Sequence, residues 1–165
     1  MKQWYALPSK PMREALLWEQ LSLHQVQSFY PRIRVRPVNS RSRKVRPYFP
    51  GYVFERVDLE HTNETLLLKL PGSSGIVAFG GIPSYVQDNL IAAIKRRVDQ
   101  INAEGRERFD EWKRGDVLSV QEGPFKGHEA ILDDCLSSEG RVRVLLKFLS
   151  QTQVRMELPR GQSSA

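Results

Sequence analysis

The sequence predicts an α+β unit, an antiparallel sheet flanked by helices, followed by a small closed β-barrel. Three observations predict it. Short alternating pieces with the period of strands lead into a long run ending at Ile101 whose apolar residues repeat near 3.6. The next stretch, NAEGRERFDEW, is mostly charged with no face to bury, which marks a linker. Beyond Lys113 the composition changes to closely spaced strand-like pieces parted by turn residues. Closing such pieces into a barrel removes the exposed edges that a flat sheet would keep. The expected organisation is therefore a first domain over 1–101, a linker over 102–112, a barrel over 113–160 and a tail over 161–165.

In chain order, QWYAL reads as a strand ended by Pro8 and Pro11. Residues 12–27, MREALLWEQLSLHQVQ, are rich in helix formers and space Leu17, Leu21 and His24 along one face. FYPRIRVRPV alternates apolar and arginine side chains, which predicts a strand with one wet face. VNSRSRK has turn chemistry and no apolar period, so it is expected as an exposed loop or hairpin tip. GYVFERVDL resumes a strand in which Tyr52 and Phe54 share one face and Val53 and Glu55 the other. ETLLLKL fits a short helix or a strand. GIVAF reads as a strand closed by Gly80 and Gly81. After Pro83 and Ser84, the spacing of Val86, Leu90, Ile91, Ile94, Val98 and Ile101 predicts a long amphipathic helix.

The barrel pieces are DVLSV, EAILDD, RVRVLLKF and VRMEL. The third obeys two periods. Val142, Val144, Leu146 and Phe148 alternate with Arg141, Arg143 and Lys147 as in a strand, yet Val142, Leu145, Leu146 and Leu149 also keep helical spacing. The flanking turn signals favour the strand; the helical alternative would mask the aromatic residues of the first domain.

Bulk composition narrows the function. Hydrophobic content of 40% and charged content of 27% are those of a folded chain. A single cysteine, Cys135, excludes an internal disulfide and a paired-cysteine zinc site. MKQWYALPSK has no apolar leader segment, and LLLKL and VLLKFL are too short to span a bilayer, so a soluble cytoplasmic protein is expected. His24, His61 and His128 are scattered, and no nucleophile–base pair, P-loop or metal-spaced cluster accompanies them. No enzyme, cofactor or metal is expected. The net charge of +6 is uneven: residues 1–100 hold 15 lysines and arginines against 8 acids, and the remainder is near neutral. Residues 32–46 carry seven basic side chains and no acid, a footprint for a polyanion and for nucleic acid before membrane.

GDVLSVQEGPFKGHEAILDD (115–134) resembles a KOW motif. Gly123 supplies a turn residue free to take positive φ, Phe125 caps a core, and Gly127 allows close backbone approach at a bend. WYAL, RPYFPGYVFERV at 46–57, GIVAFGG at 75–81 and the following helix resemble, in that order, the N-terminal NGN domain of the NusG family. The chain as a whole resembles a NusG-family transcription elongation factor, either the housekeeping form or a specialised paralogue of the RfaH type.

The resemblance implies an NGN-like sheet followed by an SH3-like KOW barrel, in a monomer that docks on the clamp of RNA polymerase. By position it assigns Leu7, Tyr52, Phe54 and Phe79 to the polymerase-binding patch. It sets Lys10, Arg41, Arg43, Lys44 and Arg46 beside DNA, where cations bind the backbone without reading sequence. Stabilising the closed clamp would suppress pausing and termination, and the barrel would recruit a partner such as ribosomal protein S10. Rho is less expected, because KFLSQTQVRMEL carries Ser150 and Gln151 where the family has an F-G-R string. The pair His61-Thr62 resembles a polymerase-contacting motif of RfaH-type proteins, although the alignment sets that motif nearer Asn63, Glu64 and Thr65. Replacing Tyr52 and Phe54 by alanine is expected to abolish polymerase binding with the fold intact. The alternative function is a ribosome- or RNA-associated KOW protein, which the near-neutral C-terminal half argues against.

Overall fold

The computed structural model describes residues 1–34, 45–103, 116–119, 129–132 and 138–157, with side chains after Ala103 described only for 139–151. In chain order the elements are β1 (Gln3–Pro8), α1 (Glu14–Leu23), β2 (Gln27–Phe29), β3 (Arg32–Arg34), β4 (Val45–Pro47), β5 (Tyr52–Val57) and α2 (Glu64–Leu68). They continue with β6 (Ala78–Phe79), β7 (Ile82–Pro83), β8 (Tyr85–Val86), α3 (Asp88–Ala103), β9 (Asp116–Ser119), β10 (Glu129–Leu132) and α4 (Ser138–Glu157).

Alternation in β1 and β5 builds the centre. They pair antiparallel with Tyr5 opposite Glu55, Ala6 opposite Phe54 and Leu7 opposite Val53, inside a sheet ordered β2-β5-β1-β8. Both faces are covered. One face presents Trp4, Ala6, Phe54 and Val86 to Leu90, Ile91, Ile94, Val98 and Ile101 of α3. The other presents Tyr5, Leu7, Val53 and Val57 to Leu17 and Leu21 of α1 and Leu67 of α2. An antiparallel sheet with helices is the expected class for the first domain. Among the described residues, no helix is long and apolar enough to cross a membrane.

Several expected elements are shorter or divided. α1 stops at Leu23, and Met12 and Gln25 bracket it with φ of 59° and 58°, left-handed conformations that helical residues do not take. FYPRIRVRPV is split at Pro31, which has no N–H for a ladder, so β2 joins the main sheet and β3 pairs β4 separately. Only the end of GIVAF is a strand. β6 and β7 form a hairpin across Gly80 and Gly81, whose φ values of 59° and 79° suit a two-residue turn. Val86 belongs to β8 rather than to the helix, which starts at Asp88. ETLLLKL is helical because Asn63 caps it, its side chain accepting from Thr65 N–H at 3.0 Å.

The largest difference lies in the C-terminal half. β9 and β10 pair antiparallel, as the KOW-like pieces predict, while Gly123, Phe125 and Gly127 lie outside the described residues. RVRVLLKFL is not a strand. It and the VRME that follows are one helix, α4, and Arg141, Leu145 and Leu149, spaced by four, are the buried residues among its described side chains. Tertiary packing decides between the two periods: Leu145 and Leu149 join the cluster of Phe54 and α3.

Candidate functional site

The FPGY turn connects the aromatic residues to β5. Tyr52 N–H donates to Phe49 O at 3.2 Å, with Pro50 second and Gly51 third at φ +85°. Proline then a positive-φ glycine is the composition of a type II turn. Both ends of the Gly51 residue are held from outside the turn. Its N–H donates to Glu14 Oε1 at 2.8 Å, and its carbonyl accepts from Ser9 N–H at 2.8 Å.

Around this turn the rings form a connected set. Phe54 is fully buried, stacked on Phe29 at 6.0 Å and edge-on to Phe49 at 5.8 Å. Phe49 in turn meets Tyr48 edge-on at 4.9 Å. Tyr52 and Phe79, both half-buried, pack against the same cluster. Burial pushes the Tyr52 phenol above its usual value, so it stays neutral. The Lys95 ammonium lies 5.2 Å from the Phe29 ring and 5.6 Å from Trp4.

Helix α4 is seated on this cluster. Arg141, buried, donates from Nε to Tyr48 O at 2.8 Å, and its guanidinium carbon lies 4.4 Å from the Tyr48 ring centre. Ser84 Oγ, also buried, donates to Leu149 O at 2.9 Å. Leu145 and Leu149 are buried between these polar anchors, with Val142, Leu146 and Phe148 partly buried beside them.

Of the residues assigned to the patch by sequence, Tyr52, Phe54 and Phe79 share one cluster and Leu7 does not. Leu7 faces the other side of the sheet, opposite Val53, among Leu17 and Leu21. Among the cations, Lys10 is exposed and its backbone N–H donates to Gly72 O at 2.8 Å. Arg46 is exposed on β4, whereas Arg41, Arg43 and Lys44 lie outside the described residues. Arg32, the first of the basic tract, stacks over Trp18 at 4.6 Å and Tyr30 at 5.0 Å. His61 is exposed and its Nδ1 pairs with Asp58 Oδ2 at 2.9 Å. The same oxygen accepts from the terminal ammonium at 2.8 Å, and these bonds hold the Asp58 carboxyl well below the usual carboxylate range. Asp58, Glu60 and His61 are close enough together to consider a metal, but Asp58 is already occupied by these two partners.

The anchoring bonds of Glu14, Ser84 and Arg141 are not foreseen from the sequence. Each acts on backbone, through a Gly51 N–H or the carbonyls of Leu149 and Tyr48, and apolar periodicity carries no signal for such bonds.

The family described as "Transcription termination factor nusG" matches residues 2–95. The transcription termination/antitermination protein NusG of Pasteurella multocida is 24% identical over 171 residues, covering 94% of this chain and 92% of that protein. Its namesake in Escherichia coli strain K12 is 22% identical over 164 residues, covering 91% and 89%. A solved structure described as "Domain interaction in Thermotoga maritima NusG" aligns with a TM-score of 0.47 and 22% identity over 81% of this chain and 80% of that one. With more than half of its length matched by the family, and the sheet, turn and helices of its first domain in the expected order, the chain belongs to the NusG family.

Proposed function

We propose that this protein is a transcription elongation and antitermination factor that grips the clamp of RNA polymerase through the ring cluster around the FPGY turn. The observation that carries the reading is the convergence of Tyr52, Phe54 and Phe79 on one cluster, two of them half-buried, at the end of the basic tract 32–46. Apolar rings supply adhesion, since aromatic side chains dominate interface energetics. Lys10, Arg41, Arg43, Lys44 and Arg46 supply a sequence-independent attraction to the DNA backbone. No bond is made or broken. A factor that binds the closed clamp more tightly than the open or paused form shifts that population and prolongs synthesis. The KOW segment recruits a partner, ribosomal protein S10 before Rho.

In this reading α4 is a cover. It occupies the cluster that would meet the clamp, so only molecules with α4 displaced are competent to bind. The test uses Tyr52→Ala with Phe79→Ala rather than Phe54→Ala. Phe54 is fully buried with two ring partners, and truncating such a residue costs roughly 3–5 kcal/mol of stability. The half-buried pair leaves the fold intact and removes the rings. Loss of binding to elongating polymerase, with unfolding temperature little changed, is the expected result; undiminished binding refutes the assignment.

A further inference from the structure

Glu14 lies far in sequence from the rings, in the first turn of α1, yet its carboxylate reaches the FPGY turn. It is only 6% exposed. The turn explains why it is needed. Proline at the second position and φ +85° at the third leave the Gly51 N–H outside the turn's own hydrogen bond, which runs from Tyr52 N–H to Phe49 O. A part-buried N–H without an acceptor is costly, and a carboxylate is a stronger acceptor than a neutral oxygen. α1 holds that carboxylate on a fixed base. Leu17 and Leu21 are buried against the sheet, and the backbone of Arg13 lies so close to Gly72 that an added Cβ there would come within 3.1 Å of it.

Two helix side chains thus anchor the ring segment, beside the backbone bonds from Ser9 N–H to Gly51 O and from Tyr48 N–H to Pro31 O. Arg141 grips Tyr48 O from α4, and Glu14 grips Gly51 N–H from α1. If α4 leaves when the rings are used, the first anchor leaves with it and the second stays. We propose that Glu14 is a positioning residue for the ring surface, its carboxylate fixing the Gly51 peptide so that Phe49 and Tyr52 keep their places beside Phe54 when α4 is away. The proposal rests on the reading that these rings meet polymerase, and Glu14 itself touches none of the partner.

The experiment uses the full chain and reads two quantities: hydrogen exchange of the Gly51 amide, and affinity for RNA polymerase elongation complexes. Glu14→Ala is expected to accelerate Gly51 exchange and to weaken polymerase binding, each by roughly tenfold, the scale of one hydrogen bond to a charged group. Exchange at Leu17, in the same helix, stays unchanged, which separates local release from general loosening. Glu14→Gln keeps an acceptor oxygen and is expected to restore most of both. It also serves as the readable variant should Glu14→Ala not fold, since a few-fold faster Gly51 exchange with weaker binding is then expected. Unchanged Gly51 exchange in both variants overturns the proposal, as does faster exchange with unaltered affinity. Undiminished polymerase binding by Tyr52→Ala with Phe79→Ala instead removes the ring reading itself, whatever Gly51 does.

Discussion

Replacing Leu145 and Leu149 together by alanine is expected to lift α4 from the ring cluster. The two side chains are 2% and 1% exposed, the deepest apolar contacts among the helix's described residues. Truncating a buried leucine costs roughly 2–5 kcal/mol. Taking the low end for a helix docked on a surface, the pair removes about 4 kcal/mol, close to a thousandfold in the docking constant. What remains includes the Arg141 bond to Tyr48 O and the Ser84 bond to Leu149 O, worth together about 2–4 kcal/mol, beside the partly buried Val142, Leu146 and Phe148. The balance moves toward the open form. Hydrogen exchange followed by mass spectrometry is expected to show amides of 139–151 exposed in the variant and protected in the parent, with β1 and β5 protected in both. Affinity for elongating polymerase is expected to rise, because a masked site binds with its intrinsic constant divided by the competent fraction. Exposed α4 amides with unchanged or weaker polymerase binding would refute the idea that the helix is a cover. Protected α4 amides would refute the claim that the leucines carry its docking.

Three further perturbations test other parts of the structure. Burial pushes the Glu55 carboxyl up from 4.5 to about 8, so between those values the folded chain holds a proton that the unfolded chain has released. Stability therefore falls as pH rises from about 4.5 and levels off above about 8, a span of roughly 4–5 kcal/mol; Glu55→Gln should flatten that slope in denaturant titrations at several pH values. Gly72→Ala should destabilise by more than about 1 kcal/mol, since φ is +87° and the new Cβ would lie 3.1 Å from Arg13 O and 3.3 Å from Leu17 N; an unchanged unfolding midpoint would contradict this. Ser84→Ala removes a buried donor to Leu149 O and should expose α4 amides to exchange by a few-fold without loosening β1.

What the sequence discloses follows what each kind of signal can carry. Apolar period found the buried stripe of α3 residue by residue, because a helix lying on a sheet face must bury every third or fourth side chain. Strand alternation placed Tyr52 and Phe54 together for the same reason. Leu7 shows where alternation stops being enough. Its face depends on its partner across the ladder, and the register that sets it opposite Val53 follows from the whole connection between β1 and β5. Glu55 runs against the pattern: its position faces the core of α1 and α2, yet among the described residues neither of its buried oxygens has a hydrogen-bond partner, so hydropathy alone would have put an apolar residue there.

Residues 141–149 pose the harder case, since both periods are present in the same nine side chains. A strand there would need neighbouring strands to satisfy its backbone, whereas a helix satisfies its own and asks only for a greasy surface. Phe54 and α3 provide that surface. The register in which the helix sits is then fixed by Arg141 on Tyr48 O and by Leu149 O under the Ser84 hydroxyl. A shift of one residue along α4 would carry Arg141 off that carbonyl and turn Leu145 toward solvent, about 100° around the axis. Those bonds join side chains to backbone carbonyls far away in sequence, so no local pattern could announce them, and a sequence argument that weighs only apolar spacing is bound to leave this segment undecided.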